Sequence, residues 1–223
     1  MYYDPYLAHY GVKGMKWGVR RHRDDVVVRK GHKIQRISAS TESDKRSDRK
    51  TAYTSYLRSD RKKYANDFAK GLKSGKIINN PDTSGIKDDV YKITYRSKND
   101  LVSPSLKRRI EYRNNVLSGK NGDEIRKEMG NTLKVWSPLL YGKYSDKELQ
   151  MEIDSYDELT KQRLFGLTVS RSPSVRNAYV SEIAKHGYNA VVDDADSMGY
   201  AKSALIVLDR YKDLEYKNVK KIL

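Results

Sequence analysis

Alternation with a period of two marks two clear stretches of the chain. Thr51 to Leu57 sets Thr51, Tyr53, Ser55 and Leu57 against Ala52, Thr54 and Tyr56, and Val90 to Arg96 sets Tyr91, Ile93 and Tyr95 against Lys92, Thr94 and Arg96. Successive side chains of a strand leave on opposite faces, so both stretches predict half-buried strands. Ile34 to Ser40 mixes polar and apolar positions and reads as a third strand, and Val26-Val27-Val28 before it suits an edge strand. Tyr188 to Val192 and Ala204 to Leu208 read as the last two strands of a central sheet, separated by an acidic loop that contains glycine.

A period near four governs the remainder. Ser59 caps a predicted helix from Asp60 to Leu72 with Tyr64, Phe68 and Leu72 on one stripe, ended by Gly75 and the Asn79-Asn80-Pro81 turn. Ser103-Pro104 opens a second helix that runs to Leu117, and a third spans Asp123 to Leu133. The capping box Ser145-x-x-Glu148 starts a longer one through Leu149, Ile153, Tyr156 and Leu159 to Leu164. Ser172-Pro173 opens a fifth, in which Val175, Tyr179 and Ile183 recur and Gly187 closes the end in a left-handed cap. The fold class is α+β: a small mixed or antiparallel central sheet with about five helices, preceded by a partly extended basic N-terminal arm. The arm is assigned to residues 1–32 and a single domain to 33–223, with no repeat at solenoid spacing.

Charge changes the picture. Lys plus Arg number 45 against 29 Asp plus Glu, a formal net charge of +16, so the natural partners are anionic: nucleic acid or an acidic protein surface. The predicted helix 103–117 carries Lys107, Arg108, Arg109 and Arg113, which either lie on phosphates or form a solvated helix exterior. Eighteen Tyr against 2 Phe and 2 Trp suit half-exposed contacts, or a small core with wet edges. No cysteine is present, which excludes disulfides, thiolate metal sites and a cysteine nucleophile. No apolar run approaches membrane-spanning length and no signal peptide opens the chain, so no membrane role is expected.

The segment richest in binding chemistry is His9-Tyr10-Gly11-Val12-Lys13-Gly14-Met15-Lys16-Trp17-Gly18-Val19-Arg20-Arg21. Its three glycines let the backbone lie close against a partner. Tyr10, Met15 and Trp17 offer apolar area, and Lys13, Lys16, Arg20 and Arg21 carry positive charge. The alternative is a flexible, solvated basic terminus. In His9, Gly11, Lys13, Gly14, Met15, Lys16, Trp17, Gly18, Arg20 and Arg21 the segment resembles an H-x-G-x-K-G-M-K-W-G-V-R-R element. That element lies at the ends of otherwise unrelated proteins encoded by bacteriophages and prophages of Gram-positive bacteria, beside head, portal and maturation proteins. The resemblance covers about a tenth of the chain. It implies docking on a phage head component, synthesis in the bacterial cytoplasm and a final place in the virion.

Enzymatic chemistry is weakly signalled. Asp193, Asp194 and Asp196 form the densest acidic group and suit either a hard cation or a polar turn, but EF-hand spacing is absent. His9, His22, His32 and His186 lack zinc-site spacing, and no nucleophile elbow or phosphate loop occurs, so no cofactor, metal or small-molecule substrate is expected. Ile34-Gln35-Arg36-Ile37-Ser38 followed by Tyr53-Thr54-Ser55-Tyr56 is similar to the front half of mono-ADP-ribosyltransferases. That resemblance implies cofactor contact through Arg36 and pocket support through Ser55. The sequence departs from the family where a glutamate belongs: no Glu lies between Glu182 and Glu215, and the approach to the last strand reads Tyr200-Ala201-Lys202-Ser203. Either Asp193 or Asp194 takes that role, or the scaffold lacks the activity. Three roles follow: a head-associated docking protein, an ADP-ribosyltransferase-like effector on host protein, or a sequence-independent DNA-binding protein.

Overall fold

The computed structural model describes residues 25–38, 54–58, 69–70, 89–193 and 204–223. Its strands are β1 (Val26–Val28), β2 (Lys33–Ser38), β3 (Thr54–Arg58), β4 (Tyr91–Ser97), β5 (Leu101–Ser103), β6 (Ala190–Asp193), β7 (Ala204–Val207) and β8 (Leu214–Lys221). The helices are α1 (Leu106–Ser118), α2 (Gly122–Trp136), α3 (Pro138–Tyr141), α4 (Asp146–Ser155), α5 (Glu158–Arg171), α6 (Pro173–Lys185) and α7 (Arg210–Asp213). Ala69 and Lys70 are also helical, within the predicted 60–72 helix whose remaining residues lie outside the described ones.

The protein is α+β. Six strands form one sheet in the order β6-β7-β3-β2-β4-β8, every pairing antiparallel, and β1 pairs with β5 in a second, two-stranded sheet. The small sheet continues the β2–β4 ladder past two facing turns. Gly31, at φ 84°, donates its N–H to Ser97 O at 2.9 Å, and the Lys30 N–H reaches Asp100 Oδ1 at 2.8 Å. Only a residue without Cβ takes that backbone angle cheaply. The ribbon then arches to the far edge of the main sheet, where the Val192 N–H donates to Ser103 Oγ at 2.8 Å and the Val102 N–H to Asn189 Oδ1 at 2.7 Å. Val28 and Leu101 of the ribbon thereby join Ile34, Ile93, Ala190, Val192, Leu205 and Val207 in one core. The helices cover the opposite face, and Val191 and Ile206 meet a larger core built on Met129, Leu149, Phe165 and Ile183. Phe165 is fully buried and meets Tyr179 edge-on at 5.0 Å between ring centroids.

Several expectations need correction. The 145–164 helix is two helices. Asp157 caps the second, accepting the Thr160 N–H at 2.8 Å, because the side chain of Asp satisfies a first-turn donor better than Asp within a helix would. Among the described residues five helices of ten residues or more are present, the expected 145–164 helix supplying two of them. The 103–117 helix starts at Leu106, since residues 101–103 are strand β5. Tyr188–Val192 and Ala204–Leu208 are not the last strands: β8 follows and occupies the sheet edge beside β4. Val26–Val28, read as an edge strand, does pair as one, through Val26↔Ser103, Val27↔Val102 and Val28↔Leu101. Gly187 does take the left-handed conformation at φ 80° after α6.

Candidate docking site at the root of the N-terminal segment

Helix α1 presents Arg108, Tyr112 and Asn115 at spacings of four and three, which places them on one stripe toward the end of α6. Tyr112 is almost wholly buried and stacks on the His186 ring at 4.4 Å with 14° between planes. Asn115 donates to Glu182 Oε1 at 3.0 Å, and Lys185 Nζ donates to Glu182 Oε2 at 3.1 Å. Partial burial acts to raise the Glu182 pKa, but the hydrogen bonds from Asn115, Lys185 and His186 outweigh it and hold the carboxyl below its ordinary value.

Tyr188 follows Gly187 and turns into this cluster, with its ring 6.1 Å from that of Tyr112. Its hydroxyl donates to Asp25, 3.1 Å from each carboxylate oxygen. Burial first, and the Asp25 charge second, hold the Tyr188 phenol far above the ordinary tyrosine value, so it remains a donor. Asp25 directly precedes β1. Residues 163 positions apart thus fix the start of β1 against the turn after α6.

The four cations expected to share one outer face are divided. Lys107 is exposed and Arg108 half-buried beside Tyr112, whereas Arg109 and Arg113 are each only 2% exposed. Arg113 donates to Asn114 Oδ1 at 2.9 Å, to the Glu158 carbonyl at 3.1 Å and to the Glu158 carboxylate, tying α1 to the start of α5. Arg109 and Arg113 therefore line the inner side of α1 and do not reach a phosphate backbone; their apolar stems fill space that a shorter polar residue would leave open.

The other predicted residues are placed as follows. Arg36 is half-buried on β2 opposite Ile93, and Ser55 lies on β3 opposite Ile206. The register Ile34↔Arg58 and Gln35↔Leu57 gives Arg36 and Ser55 opposite parity, so these neighbouring strands do not bring the two positions to one face. Asp193 ends β6, while Asp194 and Asp196 lie outside the described residues, as do His9, Tyr10 and the rest of the 9–21 segment. Among the described residues no group of three or more His, Asp or Glu could hold a metal, and no helix is long and apolar enough to cross a membrane. Sequence reasoning gave Asp25, Tyr112, His186 and Tyr188 no shared site. The only local signal was the Arg108-Tyr112-Asn115 spacing.

Comparison with known proteins finds one family: residues 2–24 match a family of unknown function (DUF7211). No curated protein and no solved structure matches the chain.

Proposed function

We propose that this protein is an accessory component of a bacteriophage or prophage head, attached there through residues 9–21 acting as a docking peptide on a head protein. The observation that carries this reading is the family match itself, which spans the whole of the 9–21 segment. The match ends at residue 24, and among the described residues, which begin at Asp25, Val26 is already paired with Ser103.

Within the segment, Trp17 and Met15 supply apolar anchors, and Lys13, Lys16, Arg20 and Arg21 answer carboxylates around them. The Tyr188–Asp25 hydrogen bonds and the β1–β5 ladder support this role by transmitting any pull on the peptide to the domain. The charge of +16 suits weak, salt-sensitive attachment to packaged DNA, with Lys107 and Arg108 the outward members of the α1 group. Synthesis in the host cytoplasm and residence in the virion complete the reading.

The test is co-sedimentation of purified phage heads with the full chain and with a chain lacking residues 1–24, both checked by circular dichroism. Loss of pelleting on truncation with unchanged spectra is expected, and Trp17→Ala should weaken association about 30-fold, as for an interface anchor worth ~2 kcal/mol. Equal pelleting of both chains overturns the proposal.

A further inference from the structure

We propose that the outer edge of β8 is a docking site for an extended, acidic segment of another protein, which joins the main sheet as an additional strand. β8 closes the sheet on the β4 side, and among the described residues no strand pairs with its other edge. Seven of its eight residues are exposed, Glu215 to Lys221, so both faces of the strand are open as well as its edge. An edge of this length offers alternate backbone N–H and C=O groups to an incoming chain. Its position is fixed: the Ile222 N–H donates to Val90 O at 2.8 Å, and Tyr216 rests edge-on against Tyr95 at 6.1 Å.

Charge selects the occupant. Glu215 is already paired with Lys217 at 2.6 Å, and Asp89 with Lys221 at 2.8 Å. Lys220 stands directly opposite Lys92 in the register, a like-charge cross-strand pair, and no ion pair joins either to a carboxylate among the described residues. Like charges in that position oppose one another, and a carboxylate on an added strand relieves them. Pairing of β8 with a second copy of itself brings the Lys217, Lys220 and Lys221 edges together and is disfavoured by the same charges. Nucleic acid offers the negative charge but no main-chain donors and acceptors to extend the ladder.

The test uses the full chain and a fluorescein-labelled peptide of four Thr-Glu repeats, with a Thr-Lys peptide and a short DNA duplex as comparison probes. Expected results are anisotropy binding of the Thr-Glu peptide alone among the peptides, slowed amide exchange confined to residues 215–221 at saturation, and affinity about tenfold lower in Lys217→Glu/Lys220→Glu. Lys217→Gln/Lys220→Gln serves if charge reversal disturbs folding, with a smaller loss in the same direction. Absence of Thr-Glu binding, binding without amide protection in β8, equal affinity of the charge variants, or displacement of the peptide by DNA without that protection would each overturn the proposal.

Discussion

Arg113→Ala and Arg113→Met should separate the two things this side chain does. Arg113 is 2% exposed and donates to Asn114 Oδ1, the Glu158 carbonyl and the Glu158 carboxylate. The Glu158 side chain is 57% exposed, so its carboxylate regains water if the guanidinium is lost. Asn114 is exposed too, and the Glu158 carbonyl retains its place in the α5 ladder. The polar partners therefore lose little, about 1 kcal/mol net for the network after the cost of desolvating the guanidinium is counted. The buried stem is different: the two methylenes beyond Cβ, at ~0.8 kcal/mol each, plus the cavity left behind, give about 3 kcal/mol for Arg113→Ala. Met refills most of that volume, so Arg113→Met should cost only about 1 kcal/mol. Urea unfolding followed by far-ultraviolet circular dichroism measures both, with unchanged slopes required for a fair comparison. Equal destabilisation by Ala and Met would refute the reasoning, because the charge network and not the stem would then hold α1 against α5. Retention on a duplex-DNA column should be unchanged by Arg113→Met and lowered by Lys107→Ala/Arg108→Ala.

Three further outcomes follow from the packing. Gly122→Ala places a Cβ 1.9 Å from the Leu117 carbonyl oxygen, so it should destabilise by about 1–3 kcal/mol in urea melts, although helix propensity alone favours Ala by ~1 kcal/mol. Tyr188→Phe removes the donor to half-buried Asp25 and should cost about 1 kcal/mol in the same assay, leaving the far-ultraviolet spectrum unchanged. Burial, aided by Asp25 at Tyr188 and by Tyr141 and Glu152 at Tyr156, raises both phenol pKa values, so the folded state favours the protonated forms. That stability is complete below the unfolded tyrosine value of about 10 and is lost progressively as pH rises from there toward the raised folded values; urea midpoints should fall from about pH 10 upward, less steeply in Tyr188→Phe/Tyr156→Phe. An identical slope in that double variant would contradict the assignment.

Periodicity revealed most of the elements wherever one face of an element is buried. Ile93 and Tyr95 on β4, and Val175, Tyr179 and Ile183 on α6, are buried where their spacing placed them. β8 escaped because both of its faces are exposed, which leaves no apolar alternation to detect. β5 is three residues long and its burial is uninterrupted, so it carries no period at all. The division of α4 from α5 depends on whether Asp157 caps a helix or continues one, and the apolar stripe through Leu149, Ile153, Tyr156 and Leu159 reads the same in either case. Composition identified Lys107, Arg108, Arg109 and Arg113 as cations but could not assign their sides of α1, since Arg stems bury as readily as aliphatic residues when their ends find acceptors. The Asp25–Tyr188 contact was illegible for another reason: the two meet only through the closed sheet.

The most direct measurement on the docking role concerns one indole. Trp17 and Trp136 are the two tryptophans, so Trp136→Phe leaves Trp17 as the sole emitter. On mixing that variant with purified phage heads, a blue-shifted Trp17 emission protected from iodide quenching is expected. Co-sedimentation of the variant with heads while Trp17 stays fully quenchable would contradict the assignment of residues 9–21 as the docking element.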